Sequence, residues 1–285
     1  MKFFKRRIGR KIPISLWVAF VIIFLYSLTL ITPLYFMLTN SFKNILDYLY
    51  NNPWGLPKKM YFENYASATT LTVGKVSFVG MYINSFVFTC GAVLISTATA
   101  TMTAYALAKF KFWGRDFLVA LGIGAIVIPD LGSSSVIYKM YVDLNFIDTW
   151  AILLRYTGPY GMQFLVLYAF FKGLSGGYIE AAKIDGASEL TVFLRICIPM
   201  AQGALGATMV ILFINNWNDY LTPYMYLPSL KTLSIGLQEL SATVSQLDRP
   251  KLYAAMIIAI TPLLIIFIIM RDKIIANTVS GGLKG

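Results

Sequence analysis

Long apolar runs bounded by charged residues are the feature of this sequence that most constrains its fold. Five are clear, and they lie between Lys11 and Lys43, Lys75 and Lys109, Asp148 and Lys172, Arg195 and Asp219, and Lys251 and Arg271. A helix that crosses a bilayer needs about 20 apolar residues. Of the 285 residues, 58% are hydrophobic and 13% are charged, whereas soluble domains are roughly 45–50% apolar. The sequence predicts an all-α integral membrane protein.

A sixth and weaker span is predicted at roughly 113–130. Only 13 consecutive residues are uncharged there, fewer than a centred span needs. Without this span, the basic segments 109–115 and 172–195 would lie on opposite faces of the membrane, although basic loops tend to stay in the cytoplasm. We expect Pro129 to end or kink the helix and Asp130 to lie at the outer interface.

Six spans with a cytoplasmic amino terminus put 15 of the 24 Lys and Arg residues inside and 9 outside. This inside excess predicts that both ends are cytoplasmic. The predicted parts are a basic amino terminus at 1–11, a permease domain at 12–271 and a tail at 272–285. The first run is longer than the apolar region of a signal peptide and no A-x-A-like site follows it, so we expect a retained anchor.

Composition excludes several classes of function. The chain has no histidine, and its two cysteines have no partner spacing, which predicts neither a disulfide framework nor a metal site. The net charge of +11 comes from basic residues placed between apolar runs, and this pattern indicates membrane topology rather than nucleic-acid binding. No cofactor is predicted for the chain itself.

The inner segment 172–199 predicts two short helices broken at Asp185-Gly186. Ser175 can cap the first helix, on which Tyr178, Ala181 and Ala182 share one face. Gly186 can adopt the left-handed conformation that commonly closes a helix.

The second helix is predicted to begin at Ser188 or Asp185 and to stop at Pro199. Its predicted apolar face comprises Leu190, Phe193, Leu194, Cys197 and Ile198, while Glu189 and Arg195 would face water. Two interpretations fit: an amphipathic hairpin on the inner leaflet, or a docking element whose small alanines allow another surface to approach closely.

This segment resembles the coupling signature of permease subunits of type I ATP-binding-cassette importers: E-A-A, three residues, G, then nine residues to an I-x-L-P-like ending. Here the pattern is Glu180-Ala181-Ala182, Gly186 and Ile196-Cys197-Ile198-Pro199. One departure is Ser175-Gly176-Gly177, where the family usually has a proline.

Further matches are similar to the carbohydrate branch of this family, and particularly to the maltose-type second permease. They are Glu63-Asn64-Tyr65, Asn84-Ser85, Tyr105-Ala106-Leu107-Ala108 followed by basic residues and Gly114, Trp217-Asn218-Asp219 with Pro223, and the ending Gly281-Gly282-Leu283-Lys284-Gly285. Together they cover most of the chain in the family's order.

The resemblance implies a six-helix permease fold and roles for particular residues. The implied contacts to an ATPase subunit are Glu180, Ala181, Ala182, Asp185 and Gly186, with Gly281, Gly282, Lys284 and Gly285 reaching between the two ATPase subunits. ATP and Mg would be bound by those partners. The resemblance also implies a companion permease that is a different chain, and an extracellular sugar-binding protein. The binding protein would meet the outer loop at roughly 222–250.

Polar residues at the outer end of the fifth span predict a possible substrate path, because polar side chains facing lipid are costly. They are Asn215, Asn216, Trp217, Asn218 and Asp219, with Gln163 in the fourth span. Aromatic rings stack on sugar C–H groups and amides bond hydroxyls. An ordinary interfacial belt with a helix cap explains the same residues.

The predicted activity is ATP-driven sugar import by alternating access, with this chain as a non-enzymatic permease. The alternatives are an importer of the same architecture for another solute, a secondary carrier or a membrane enzyme. A carrier should bury ionisable groups at mid-membrane and often has internal repeats, and an enzyme should have a catalytic cluster. The sequence has none of these features.

Overall fold

The computed structural model describes residues 14–127, 134–245 and 248–281, with side chains described through Met270. The helices are α1 Ile14–Ser41, α2 Ile45–Tyr50, α3 Glu63–Ala68, α4 Phe78–Lys109, α5 Arg115–Val127, α6 Ser134–Asp143, a 3₁₀ helix Trp150–Thr157, α7 Met162–Gly173, α8 Gly176–Ile184, α9 Glu189–Val192, a π-helical turn Phe193–Cys197, α10 Ile198–Met200, α11 Gln202–Trp217, α12 Leu221–Tyr226, α13 Leu233–Thr243 and α14 Arg249–Gly281. Two short antiparallel strands, β1 Thr72–Val73 and β2 Val76–Ser77, form a hairpin before α4. The prediction of a mostly helical protein is confirmed.

Three described helices are long and apolar enough to cross a bilayer: α1, α4 and the part of α14 from Arg249 to Met270. A fourth span results if Glu189–Met200 and α11, which meet at an angle of 74°, are counted as one. Helices α5 and α7 have 13 and 12 residues, fewer than the about 20 that span a bilayer alone. The six-span count therefore stays a prediction, and Pro129 and Asp130 lie outside the described residues.

The predicted fourth span, between Asp148 and Lys172, is divided in the structure. The 3₁₀ helix Trp150–Thr157 and α7 are separated by Gly158-Pro159-Tyr160-Gly161. Proline has no backbone N–H for the helical ladder, and glycine disfavours a helix interior. The apolar content of this run did not reveal the break.

The chain forms two compact units, Met1–Ala68 with Thr243–Ile258, and Thr69–Ala242 with Ala259–Gly285. In the first unit, the Glu63-Asn64-Tyr65 motif at the start of α3 is joined to the end of α1 by hydrogen bonds. Asn64 Nδ2 donates to the carbonyls of Ser41 and Lys43, both at 2.8 Å, and the Tyr65 hydroxyl lies 2.8 Å from Ser41 Oγ. This motif is part of the family resemblance, and its structural role is to hold the start of α3 against the end of α1.

Lys43 is buried in this first unit, with 1% of its surface exposed. Its Nζ donates to the carbonyls of Asn52 at 3.1 Å and Pro53 at 3.0 Å. Burial lowers the pKa of Lys43 from its ordinary value, and the neighbouring carboxylate of Asp47 opposes part of this shift. The buried ammonium group is therefore hydrogen-bonded, and it holds the loop at Asn52 and Pro53 near the end of α1.

In the second unit, α4 is the central element, and it packs against α7, α11 and the 3₁₀ helix. Small residues on α4 allow this close approach: a Cβ added at Gly91 would lie 2.6 Å from Leu153 Cδ1. Asn84-Ser85, near the start of α4, hold the loop before α13, because Asn84 Nδ2 donates to the Lys231 carbonyl at 3.1 Å and Ser85 Oγ accepts from Leu233 N at 2.7 Å.

The outer loop at 222–250 is more ordered than the sequence predicted. It contains α13, which buries Leu233, Ile235 and Leu240. The ammonium of Lys231 pairs with the Glu239 carboxylate at 2.6 Å. The apolar residues of α13 are spaced for one buried face and are too few to form an apolar run, so apolar content did not reveal this helix.

Candidate functional site

The first helix of the inner segment, α8, begins and ends as the sequence predicted. Ser175 Oγ accepts a hydrogen bond from Gly177 N at 3.3 Å, so the cap compensates for the missing proline. Gly186 has φ +81°. The Ala187 N–H donates to the Ala182 carbonyl at 2.9 Å and the Gly186 N–H donates to the Lys183 carbonyl at 3.0 Å. These two bonds form a Schellman motif, which requires the left-handed glycine.

The second helix, α9, begins at the predicted Ser188 cap. Ser188 Oγ accepts from Thr191 N at 3.3 Å. Across the turn, the Lys183 ammonium forms an ion pair with the Glu189 carboxylate, and both side chains are about half exposed. Glu189 and Arg195 are exposed, as the sequence predicted. The ion pair of Glu189 with Lys183 also joins α8 to α9.

The predicted apolar face of the second helix is only partly buried within this chain. Val192 and Cys197 are fully buried, whereas Leu190 and Leu194 are 65% and 50% exposed. The sequence was read with ordinary helical spacing, but a π-helical turn intervenes at 193–197, where the Ile198 N–H donates to the Phe193 carbonyl. A π turn widens the helix and shifts the faces that follow it.

Pro199 does not stop the second helix. The chain stays helical through Met200 and bends at Ala201, before α11. Proline cannot donate the i−4 hydrogen bond of an α-helix, and the adjoining π turn accommodates this missing donor. The bend thus comes two residues later than predicted.

The segment 175–201, here called the coupling segment after the family resemblance, packs on the carboxyl-terminal half of α4. The Tyr105 ring lies 4.7 Å from the Phe193 ring and 5.6 Å from the Phe171 ring, centroid to centroid. Tyr105 and Cys197 belong to the same buried core cluster. Lys109 Nζ, one helical turn further along, donates to the Leu174 carbonyl at 2.6 Å.

The Tyr105-Ala106-Leu107-Ala108 motif is part of the family resemblance, and the sequence alone assigns it no role. The structure shows that its tyrosine contacts Phe193 within the coupling segment and that the following Lys109 binds the Leu174 carbonyl just before the segment. An aromatic residue four positions before a lysine at a helix end was the available signal, since both then lie on one helix face.

The two alanines of the signature have different environments. Ala182 is 8% exposed and belongs to the core cluster that contains Tyr105, Phe171 and Cys197, whereas Ala181 is exposed. One interpretation of the sequence was that both alanines lie on a face that another protein surface approaches. Ala182 instead packs inside this chain, and only Ala181 presents a small side chain outward.

Beside Ala181 lies an open groove with a volume of about 500 Å³. Its lining residues are Ser175, Gly177, Tyr178, Ala181, Ala182, Asp185 and Ile196. Asp185 is exposed here, and so is Glu180 on the preceding turn of α8. The groove therefore offers a concave backbone surface with two carboxylates near it.

The outer cluster 215–219 is divided between buried and exposed residues. Trp217 is buried, stacks on Phe213 with centroids 5.5 Å apart, and meets the edge of Tyr82 at 5.7 Å. Its Nε1 donates to the Ala259 carbonyl at 3.1 Å. Trp217 thus anchors α11 to α14, and its ring is covered within this chain.

The amides of this cluster bond mainly to their own helix. Asn216 is buried and donates to the Leu212 carbonyl at 2.8 Å, and Asn218 donates to the Ile214 carbonyl at 2.8 Å. Asp219 Oδ1 accepts from Thr222 N at 3.0 Å and so caps α12. Asn215 and Asn218 are exposed. These contacts agree with the helix-cap alternative for Asp219.

Gln163 lies away from this cluster, on the first turn of α7. Its Nε2 donates to Ser96 Oγ of α4 at 3.0 Å. Ser96 belongs to a line of buried hydroxyl residues along α4. Gln163 therefore joins two helices through a polar contact, as polar residues commonly do within membranes.

The tail residues are only partly covered. Helix α14 continues to Gly281, and Gly282, Lys284 and Gly285 lie outside the described residues. Across the described ranges, no group of three or more Cys, Asp or Glu residues is placed to hold a metal ion.

This fold, with long apolar helices and a bent helical segment packed on the end of one of them, defines an integral membrane subunit. No protein-family model matches the chain. A solved structure with the same fold is a bacterial ATP-binding-cassette transporter involved in the import of the acidic polysaccharide alginate. It aligns with a TM-score of 0.76 and 22% identity over 91% of this chain and 96% of that chain.

Curated relatives define the family. The arabinooligosaccharides transport system permease protein AraQ of Bacillus subtilis is 30% identical over 233 residues, which cover 80% of this chain and 81% of AraQ. The diacetylchitobiose uptake system permease protein NgcG of Streptomyces coelicolor is 28% identical, over 93% of this chain and 87% of NgcG. This chain belongs to the permease subunits of ATP-binding-cassette importers, in the sugar branch. It is a transport permease and not an enzyme.

Proposed function

We propose that this chain forms about half of the membrane path of an oligosaccharide importer and works by alternating access. The relatives that cover most of the chain are named for oligosaccharide or diacetylchitobiose transport, which supports the substrate class. A companion permease, two ATPase subunits that bind ATP and Mg, and an extracellular sugar-binding protein complete the proposed assembly.

The proposed topology has six spans within 12–271, with the amino terminus at 1–11 and the tail at 272–285 in the cytoplasm. The inside excess of basic residues supports it. A cysteine at position 243 should react with a membrane-impermeant reagent from outside, and one at the exposed Tyr178 should react only after the membrane is opened. Labelling of position 178 in intact cells would contradict this topology.

The observation that carries the coupling proposal is the opposite environment of the two faces of α8. One face is fixed to α4 through Ala182 and the Tyr105 cluster, while Ala181 and the groove beside it remain open. A partner that filled the groove could therefore move α4 through contacts that are already formed. We assign the groove, together with Glu180, Asp185 and Gly186, to the ATPase subunit.

The matched pair Ala181→Arg and Ala181→Ser tests this assignment. Ala181 is exposed, so arginine should leave folding and membrane insertion intact but obstruct a closely packed partner, where overpacking typically costs 1–3 kcal/mol. We expect loss of ATPase copurification and of uptake in Ala181→Arg and near-normal values in Ala181→Ser. Normal copurification and uptake with arginine would reject the docking assignment and favour an interfacial helix.

Ala182→Arg would not test docking. Because Ala182 is buried in the core of the chain, arginine there would disturb α4 packing whether or not a partner docks. We also assign Gly281, Gly282, Lys284 and Gly285 to contact with the ATPase subunits, and Asn215 and Asn218 to the substrate path.

A further inference from the structure

The loop that joins α4 to α5 exposes large aromatic side chains. Residues 110–114, here called the aromatic loop, read Phe-Lys-Phe-Trp-Gly. Trp113 is 99% exposed, and Phe112 is exposed beside it. Gly114 has φ +84°, which turns the chain into α5. An exposed apolar patch of this kind marks an interaction site.

The exposed rings continue along α5. Trp113, Phe117 and Leu121 follow one another at intervals of four residues, and all three are exposed. Residues at this spacing lie on the same side of a helix. The loop is therefore the end of an apolar line that runs along the flank of α5.

The length of α5 places this loop at the membrane surface. Its 13 residues extend only about 20 Å at 1.5 Å per residue, whereas the hydrocarbon core is about 30 Å thick. If α5 takes part in a crossing, residues that flank it must supply the remaining length, and the aromatic loop directly precedes its first turn. Trp and Tyr are enriched at the level of the lipid headgroups because their rings are apolar and their N–H or O–H groups are polar.

The positive charge of the aromatic loop favours lipids with an anionic headgroup. Lys111 is exposed and forms no ion pair within the part of the chain that the structure describes. The flanking cations are already engaged: Arg115 pairs with Asp116 at 2.8 Å, and Lys109 donates to the Leu174 carbonyl. Lys111 is thus the cation of the loop that is available to a phosphate in the membrane surface.

We propose that the aromatic loop is a phospholipid-binding anchor, in which Trp113 and Phe112 enter the headgroup layer and Lys111 binds an anionic phosphate. Lipid fits better than a protein partner because the exposed rings are continuous with the flank of a membrane helix. The inference rests on the membrane placement of α5 given under Proposed function and is independent of ATPase docking.

The anchor is connected to the coupling segment. The Phe110 ring lies 5.8 Å from Tyr105, whose ring in turn contacts Phe193. Lipid bound at the loop would therefore hold the end of α4 against which the coupling segment packs.

Site-specific fluorescence can test the proposal in the full transporter complex. Trp113→Cys would be labelled with an environment-sensitive dye, in a chain whose Cys90 and Cys197 are replaced by alanine and serine. Lys75→Cys, in the exposed hairpin turn, is the aqueous control. Each protein would be placed in bilayers of phosphatidylcholine, with and without phosphatidylglycerol, containing lipids that carry a nitroxide quencher.

We expect blue-shifted emission at position 113 and several-fold stronger quenching by the lipid nitroxide than at position 75. Phosphatidylglycerol should increase this quenching, and Lys111→Gln should remove the increase. Quenching at 113 by iodide in water would overturn the proposal, as would protection from both quenchers, which indicates a protein contact. No effect of phosphatidylglycerol would overturn the anionic site. Ala181→Arg leaves this readout unchanged, so failure of docking and failure of lipid binding are distinguishable.

Discussion

The ring of Tyr105 on α4 lies 4.7 Å from the ring of Phe193 in the π-helical turn, with an angle of 39° between the ring planes. Two elements that are nearly 90 residues apart in sequence are thereby joined. Because Phe193 belongs to the coupling segment and α4 is a candidate membrane span, this contact connects the proposed docking site to the membrane path.

Replacing Tyr105 should uncouple the proposed ATPase docking site from the membrane path. Tyr105→Leu removes the aromatic contacts, each worth about 0.5–1.5 kcal/mol beyond the buried area. We expect ATPase subunits to copurify normally while substrate-stimulated ATP hydrolysis and uptake fall. Tyr105→Phe keeps the aromatic ring and loses only the hydroxyl, so it should remain near wild type. Equal activity of the leucine and phenylalanine variants would contradict a coupling role for the ring.

Gly186 can be tested through its backbone conformation. A Cβ at this position would meet no atom within 4 Å, so the φ of +81° is the obstacle to substitution. A left-handed conformation costs an L-residue roughly 1–2 kcal/mol, and asparagine tolerates it better. Gly186→Val should lower copurification of the ATPase, and Gly186→Asn should retain most of it. Normal docking in the valine variant would show that the Schellman ending is dispensable.

Trp217 should behave as a structural residue. Trp217→Phe removes the hydrogen bond to the Ala259 carbonyl, which typically contributes about 0.5–1.5 kcal/mol. We expect a lower temperature of thermal inactivation in detergent, with an unchanged substrate concentration for half-maximal uptake. If that concentration rose several-fold while thermal stability stayed unchanged, the ring would contact sugar instead.

Asn64 should stabilise the outer segment. Asn64→Ala leaves the carbonyls of Ser41 and Lys43 without their side-chain donor, and an unsatisfied buried polar group costs about 1–3 kcal/mol. Limited proteolysis from the outside should cut the segment 44–62 faster than in wild type. Glu63→Ala, which alters an exposed neighbour, is the control. Equal cleavage of the two variants would argue against this role for Asn64.

The buried ammonium of Lys43 predicts a pH dependence. Its pKa in the folded state lies below the ordinary value of 10.5 because burial disfavours the charge. The unfolded chain then binds more protons between the two pKa values, so stability should rise with pH in that window. Thermal inactivation would be compared at several pH values between about 8 and about 10 in wild type and Lys43→Met. A wild-type advantage that falls as pH rises would contradict the lowered pKa.

Much of the coupling segment could be predicted from local sequence. The caps at Ser175 and Ser188 and the left-handed Gly186 depend on hydrogen bonds between residues a few positions apart, and such bonds are encoded locally. The all-helical membrane class was also predictable, because the apolar content of long runs determines where a chain is stable.

Other features were settled only by tertiary packing. Ala181 and Ala182 are identical in composition, and only the packing of α8 against Tyr105 and Phe171 decides that one is exposed and the other buried. The π turn at 193–197 shifted the apolar face that ordinary helical spacing had predicted. The burial of the Trp217 ring was also not predictable, because a sequence does not show what covers a ring.

The sequence by itself determined the membrane class, the family resemblance and the helix ends of the coupling segment, because these depend on apolar content and short-range hydrogen bonds. The tertiary structure decided which face of that segment is free and how α4 holds it. Burial depends on contacts between residues far apart in the chain, and such contacts leave no period or spacing in the sequence.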